Sequence, residues 1–559
     1  MYKGNSKEWR IYLVLIVLRI LIGFTSRSTI HPDEHFQNPE IAVGFVFDYG
    51  NSGGALVETW EWQGTAPCRS IAPLWISSGA AFSLVKALIG HNPSAETLFF
   101  AQRAATLFLS FIIDLCVYRA SRSILSLLLF ASAPVTLTFL VRPFSNSIET
   151  VVLAIALYLT AQVLSQKTRN LIPLGAVLAF GIWTRITFIA FSVLLVMAVI
   201  WFFARQSSLS GLIKRGSPAI VSFFLTAYLL SAFDTLYFRP ESNLFGIVSH
   251  PSLLIVTPLN LLKYNLSSSN LAEHGLHPRY LHALVNLPML FGVGILVVVN
   301  AIRLEWRKRK KPKEKNRKSG IWNRTLIGSL LVPVALLSIQ PHQEPRFLVP
   351  LIVPLVLLAS ESSFFVSLKH SRQSRRVFWS LWIVHSLFFT LFFGYLHQGG
   401  LVPTLLQLNR GLGNDQSTLF GGNLEKVELV FWKTFMPPRH LLLPLAEHQA
   451  GQAKLRKISI TDLGGTSLPD LYSTLSSTLD ITGGSESPGL TSKPISKTFL
   501  VAPSYVFDPS LLDSFSLFSR GSSLARWWMV IESWAGTVCV WVSGKLAIVE
   551  CITGSSCTP

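Results

Sequence analysis

Apolar runs recur along the first 400 residues, at positions 11–24, 71–89, 104–118, 124–141, 151–164, 171–183, 186–203, 219–238, 283–302, 321–339, 347–368 and 378–396, with short polar stretches between them. About 20 apolar residues in a helix cross a ~30 Å hydrocarbon core. The pattern predicts an all-α polytopic membrane protein. Several runs contain proline or glycine, tolerable where neighbouring helices re-satisfy the backbone.

The basic stretches set the orientation. Residues 303–318 hold a dense cluster of lysine and arginine, and 369–376 is also basic. The positive-inside rule puts both in the cytosol. Counting back places Arg205–Arg215, Lys167–Arg169, Arg119–Arg122 and the N-terminus there too. That parity works only if one run does not cross. Run 71–89 is the candidate, since it carries Ser77, Ser78 and Gly79 and follows Pro67, with Pro73 inside it. A re-entrant or interfacial segment there leaves about eleven crossings. The first run carries Arg19, and no small-x-small cleavage site precedes Arg27, so it is read as a retained span rather than a signal peptide.

Beyond position 397 the apolar runs shorten and Gly, Ser, Thr and Pro rise, most of all from Thr461 to Lys497. Residues 498–507 and 537–551 alternate as strands do, the second around a Ser543-Gly544 turn. The chain thus divides into a transmembrane unit, 1–397, with a polar loop at 25–70, and a smaller, partly β region, 398–559, behind a flexible stretch and opposite the cytosol.

Composition agrees with this class. Charged residues are 14%, half of all residues are hydrophobic, and the mean hydropathy is +0.45. The net charge of +19 sits largely in the short basic loops, so it does not call for nucleic acid. Five cysteines are too few for a disulfide scaffold.

Polar sequence with chemical potential falls on the face opposite the basic loops. His31-Pro32-Asp33-Glu34-His35-Phe36-Gln37-Asn38-Pro39-Glu40 places two adjacent carboxylates at the bilayer edge, with Pro32 fixing a turn and Pro39 stopping the helix. A carboxylate there can act as general base on a polar group whose other end lies in lipid. A solvated loop or a short interfacial helix is the plainer account. A metal site from His31, Asp33 and His35 is disfavoured by the proline inside the motif.

Arg142-Pro-Phe-Ser145-Asn146-Ser147-Ile148-Glu149 joins two runs. Ser145 or Asn146 can cap the helix, while Arg142 can meet a phosphate or a carboxylate. Arg185 lies between two runs, snorkelling or touching phosphate. His274, His277, Arg279 and His282 precede a run, a mixture suited to sugar hydroxyls or phosphate. His342-Gln343-Glu344-Pro345-Arg346 fills a tight loop with polar groups, and His397-Gln398 ends the last run. No Gly-x-x-x-x-Gly-Lys-Ser/Thr, Gly-x-Gly-x-x-Gly after a strand or Gly-x-Ser-x-Gly occurs, so a soluble nucleotide donor is not indicated. A transporter of a lipid or polyanion is the competing class, but it would spread polar groups through mid-membrane positions. An inactive scaffold is weakened by the intact motifs.

His31-Pro-Asp-Glu-His-Phe-Gln37, Ser145-Asn-Ser-Ile-Glu149 and His342-Gln-Glu-Pro-Arg-Phe-Leu348 resemble, in order, the motifs of the dolichyl-phosphate-mannose-dependent mannosyltransferases of glycosyltransferase family 22. Within it, His274–Tyr280, Leu396–Gly400 and Phe431–Arg439 are similar to members acting on the glycosylphosphatidylinositol (GPI) precursor, at its fourth mannose. The likeness spans roughly residues 10–440. It implies a GT-C fold in the endoplasmic reticulum membrane, with a lumenal site and inverting transfer to an α-1,2-mannoside. Asp33 is then the expected base, with Glu34 as runner-up or acceptor-orienting group. Arg346 meets the phosphate with help from His277, Arg279 or Arg142, and His31, His35, Gln37, Asn146, Glu149, Arg185, His274, His342, Gln343, Glu344, His397 and Gln398 line the substrates. No cofactor or metal is expected. The expected partners are the donor lipid and the GPI precursor.

Overall fold

The computed structural model describes residues 5–47, 56–266, 275–310, 317–361, 364–365, 368, 371–413, 424–442, 457–483, 495–503, 526–533 and 536–543. Helices dominate up to Gly413. Seven of the described helices are long and apolar enough to cross a membrane: Ile71–Ile89, Ala95–Ser121, Ser145–Leu164, Leu209–Phe238, His282–Arg307, Gly320–Ile339 and Arg372–Gly411. The other expected crossings are interrupted or short. Ser6–Thr25 carries Glu8, Arg10 and Arg19. Leu171–Thr184 has 14 residues and Phe188–Ala204 has 17. Run 124–141 divides into Ile124–Ser132 and Pro134–Thr138, and run 347–368 opens as the 3₁₀ segment Pro345–Leu351 before Ile352–Glu361. Length and apolarity alone therefore reach seven, not eleven.

The charge inside the first helix has a partner. Arg19 is fully buried and pairs with Asp114 of Ala95–Ser121 at 2.6 Å, while Tyr12 donates to the same carboxylate at 2.9 Å. A cation in an apolar run is expected to face the bundle and be neutralised there.

Ile71–Ile89 is one continuous helix, widened at Trp75–Gly79 into a π turn. Its start is fastened by Asp234, near the C-terminal end of Leu209–Phe238, which accepts from Ser70 Oγ (2.8 Å) and Ile71 N (3.0 Å). Phe82 and Val85 pack on Ile41, Val46, Trp62 and Leu98. These partners all belong to the end of the bundle that carries residues 31–47.

The C-terminal region is a mixed sheet. β1 (Leu424–Phe431), β2 (Lys457–Asp462), β3 (Ile495–Pro503), β4 (Arg526–Ser533) and β5 (Gly536–Ser543) lie in the order β2-β1-β3-β5-β4. β1 pairs parallel with β2 and β3, and β3–β5 and β5–β4 are antiparallel. Alternation sets its two faces. Val427, Leu429, Phe431, Phe499 and Val501 pack against Leu401, Leu405 and the first turn of Ala95–Ser121 through Ala95 and Phe99. Val430, Leu500 and Ala502 point the other way, onto Leu471 and Leu475 of helix Leu468–Gly483. That helix occupies part of the stretch expected to be flexible; its leucines at 468, 471 and 475 keep helical spacing amid serine and threonine. The hairpin expected around Ser543-Gly544 is not what forms. β5 has both edges taken, by β3 and β4, and residues 504–507 and 544–551 fall outside the described residues.

Candidate active site

Two prolines shape the acidic loop. Asp33–Phe36 is a single helical turn entered at Pro32, and Pro39 opens the next helix, Pro39–Phe47. Residues one apart on a helical turn point about 100° away from each other, so the adjacent carboxylates part company. Asp33 keeps 26% of its side chain exposed and lines a cavity of about 340 Å³. Glu34 turns inward and is fully buried.

Glu34 is the centre of an Arg–Glu–Arg cluster, 2.5 Å from Arg103 and 2.8 Å from Arg142. Burial pushes its carboxyl up, but Arg103 and then Arg142 outweigh it and bring the pKa to about 2. It cannot reach a substrate, which corrects its place as runner-up base. Arg142 is equally unavailable. It binds Glu34, the Ser28 carbonyl and Ser28 Oγ (2.8 Å), so of its two expected partners it meets the carboxylate and not a phosphate. His35 is buried as well, its ring 5.8 Å from that of His440. Burial lowers its pKa to about 3, so it stays neutral. The trio His31, Asp33 and His35, disfavoured as a metal site on sequence, is split, and among the described residues no group of three or more His, Cys, Asp or Glu is arranged to hold a metal.

The loop at 341–347 supplies the facing wall. Arg346 donates through Nη1 to Asp33 and through Nε and Nη2 to Glu344. His342 Nε2 lies 2.6 Å from Glu344, and His31 bridges the carboxylates, 3.3 Å from Asp33 and 3.5 Å from Glu344. Gln37 donates to Asp33 from one turn further on. Burial raises the Asp33 carboxyl, but Arg346 and then His31 hold it well below the usual carboxylate range. Glu344 is likewise lowered, against burial, by Arg346 and His342. Both are ionised at neutral pH.

The third wall comes from segments with no motif. Glu61 pairs with Arg69 at 2.6 Å. Trp60 stacks on Tyr264 with ring centroids 4.0 Å apart, a platform of the kind that sugar rings pack on. Arg185 and Thr187 complete it. Glu149 stands behind them, accepting from Thr187 Oγ1 (2.7 Å) and lying 3.5 Å from Arg185 Nε, with Asn146 at 3.4 Å. Neither Asn146 nor Glu149 lines the cavity, so the Ser-Asn-x-x-Glu stretch holds Arg185 rather than substrate. It makes no cap either, since Phe144 occupies the N-cap position without a side-chain bond.

Of the expected contacts, His31, Asp33, Gln37, Arg185, His342, Glu344 and Arg346 line the cavity. Gln343 is a buried staple, accepting from His282 N (2.9 Å) and donating to the carbonyls of Ser338 and Gln340. His277 accepts from Gln343 N (3.3 Å), its ring 5.7 Å from His342, so it backs the loop rather than the cavity. Arg279 is exposed and donates to the Ile339 carbonyl. His397 is 3.0 Å from the Thr29 carbonyl, and Gln398 turns the chain with φ +50°, both outside the cavity. His274 lies outside the described residues.

Sequence reasoning missed Trp60, Glu61, Arg69, Tyr264 and His440. Arg69 had a signal of the same kind as Arg185, an arginine at the mouth of an apolar run. His440 joins the C-terminal region to the loop, 2.5 Å from Glu40, with both side chains fully buried.

The Alg9-like mannosyltransferase family matches residues 10–444. A protein named GPI mannosyltransferase 4 from Aspergillus oryzae is 32% identical, covering 94% of this chain and 92% of that one. One of the same name from Emericella nidulans is 34% identical over 78% and 76%. The human protein named GPI alpha-1,2-mannosyltransferase 4 is 31% identical over 83% and 80%. Among solved structures, ArnT from Cupriavidus metallidurans in the apo state aligns over 96% of this chain and 98% of that one, with 11% identity and a TM-score of 0.47. Matched over most of its length by the family, and with the family's acidic loop and His-x-Glu-x-Arg-Phe-Leu stretch forming two walls of one cavity, the chain belongs to the Alg9-like mannosyltransferases.

Proposed function

We propose that the protein is the inverting α-1,2-mannosyltransferase that moves mannose from dolichyl-phosphate-mannose onto the third mannose of the trimannosyl GPI precursor. The observation that carries this reading is Asp33, ionised and open to the cavity, in a chain whose relatives of matching length are named GPI mannosyltransferase 4 and GPI alpha-1,2-mannosyltransferase 4. The GT-C architecture, about eleven crossings and a lumenal site in the endoplasmic reticulum belong to the same reading, supported by the positive-inside count over the basic stretches.

The acceptor 2-hydroxyl gives its proton to Asp33 as its oxygen bonds to the anomeric carbon of mannose. The bond from that carbon to the phosphate oxygen breaks, its electron pair leaves with the phosphate, and configuration inverts. A phosphodiester becomes a phosphomonoester, so one negative charge grows at the leaving group and fixed cations can meet it. A carboxylate held at low pKa is a weak base. It suffices because the hydroxyl proton leaves late, once an oxocarbenium-like centre has made the attacking oxygen acidic. The leaving group is good enough that arginines in place of a metal serve the step. The stacked Trp60 and Tyr264 give a sugar ring its apolar platform.

The test is the lipid profile of cells lacking the protein. A three-mannose GPI precursor accumulates while lipid-linked N-glycan oligosaccharides stay full length. A two-mannose GPI species would move the acceptor one step back, and truncated N-glycan precursors with normal GPI would refute the acceptor class.

A further inference from the structure

Three guanidinium nitrogens on the cavity's third wall have no partner among the described residues: Nε and Nη1 of Arg69, and Nη1 of Arg185. Both side chains line the cavity and are buried, at 7% and 8% exposure. Buried donors are almost always satisfied, and an unmet one on a charged group is costly. Arg346 is the opposite case, with its nitrogens committed to Asp33 and Glu344. Each free guanidinium is braced from behind by one carboxylate, Arg69 by Glu61 and Arg185 by Glu149. Their forks are therefore aimed, not merely charged. Burial, and next the like charge of Arg69, push the Arg185 guanidinium down to about 10. Two buried cations on one cavity wall that repel each other are stabilised by an anion that meets both.

We infer that Arg69 and Arg185 together form the seat for the phosphate of the lipid-linked sugar donor, with Arg346 left to position Asp33. This assignment rests on the donor being a polyprenyl-phosphate sugar, as in the reading above. The two forks grip non-bridging phosphate oxygens in the substrate. They grip harder as the phosphodiester gains a charge on losing mannose. The seat and Asp33's carboxylate clamp use different side chains of the same cavity, so the leaving phosphate and the attacking hydroxyl have separate partners.

The experiment uses membranes from cells lacking the endogenous enzyme that express wild type, R69Q, R185Q, R69K or R185K, assayed with dolichyl-phosphate-mannose and the trimannosyl GPI precursor. Each Gln variant raises the apparent KM for the donor about 10–100-fold. The acceptor KM stays unchanged, and inhibition by the product dolichyl phosphate weakens by at least the same factor. The Lys variants keep the charge paired to Glu61 or Glu149 but lose the fork, so they show the same split with a smaller rise and carry the test if a Gln variant fails to accumulate. Unchanged donor KM and dolichyl phosphate inhibition, or an equal rise in acceptor KM, would overturn the seat. Wild type that transfers no mannose to the GPI precursor would sink the functional reading instead. Dolichyl phosphate binding to purified wild type and R69Q or R69K, read as thermal shift without turnover, then decides the seat by itself: a shift in wild type that the variant lacks supports it, and equal shifts overturn it.

Discussion

Arg346 holds Asp33 and Glu344 with one guanidinium, joining positions 313 residues apart in the chain. That clamp fixes the only carboxylate of the 31–40 loop that both faces the cavity and stays ionised there. It also changes what Arg346 is expected to do, since an arginine already saturated by two carboxylates has little left for phosphate.

Arg346→Lys follows directly. Lysine keeps one charge but cannot bond Asp33 and Glu344 together in a fixed plane. We expect turnover to fall about 10-fold or more with donor KM nearly unchanged, because a misplaced base acts on the chemical step. A donor KM that rises while kcat holds would return the phosphate to Arg346.

Asp33→Asn and Glu34→Gln should separate cleanly despite adjacency. Asp33→Asn removes the proton acceptor and lowers turnover about 10²–10⁴-fold, with normal accumulation in the membrane. Glu34→Gln leaves Arg103 and Arg142 buried without their shared counter-charge, which costs about 3–5 kcal/mol. It should appear as loss of protein level and thermal stability in detergent. Stable Glu34→Gln protein with abolished turnover would reverse the two roles.

The membrane runs and the three motif loops were legible because spacing and composition carry them. What was hidden is mostly direction. Nothing in His-Pro-Asp-Glu tells which carboxylate faces inward; that depends on Arg103 and Arg142, two arginines on separate helices that the linear order keeps apart. Arg19 read as a blemish in a span until Asp114 gave it a partner. β1 escaped notice because Leu429, Val430 and Phe431 are all buried, and a strand covered on both faces loses its alternation. Asn265 opens an Asn-Leu-Ser acceptor sequence that reads as a surface site, yet it lines the cavity, where a glycan would fill the site.

His35 gives the loop a pH dependence with a definite sign. Burial lowers its pKa to about 3, against Glu34, with His440, Arg103 and Arg142 adding to the fall. A histidine kept neutral in the fold binds a proton only on unfolding, so stability drops as pH falls from the unfolded value of about 6.5 toward 3. His342 runs the other way: its pKa is raised through Glu344, against burial, so its contribution is lost as pH rises through that higher value. The carboxylates Asp33 and Glu34, both lowered, keep their contribution until more acid pH. Comparing His35→Asn with wild type isolates the first effect. The stability gap between them should narrow as pH falls from 6.5 to 5, at a rate approaching about 1.4 kcal/mol per pH unit near pH 5. A gap independent of pH would mean that His35 is protonated in the fold.

One of the contacts by which the C-terminal region reaches the catalytic loop can be tested alone. His440 sits in the short 3₁₀ turn Arg439–Leu441, with its ring Nδ1 2.5 Å and its backbone N 3.1 Å from Glu40 Oε2. Glu40 lies in the first turn of the helix that Pro39 opens, one turn beyond Asp33–Phe36. His440 lines no part of the cavity that holds Asp33. Its effect on transfer must therefore pass through the loop's position. Removing the ring in His440→Ala deletes a hydrogen bond to a buried carboxylate, worth about 1.5–3 kcal/mol, while the backbone bond remains. We expect faster protease cleavage between the transmembrane unit and β1, and a fall in kcat with donor and acceptor KM both nearly unchanged. His440→Gln, which can still donate to Glu40, should recover much of the rate and most of the protease resistance. Loss of turnover that His440→Gln does not recover, in protein as protease-resistant as wild type, would give the ring a direct part in the chemistry and remove it from the role of loop anchor.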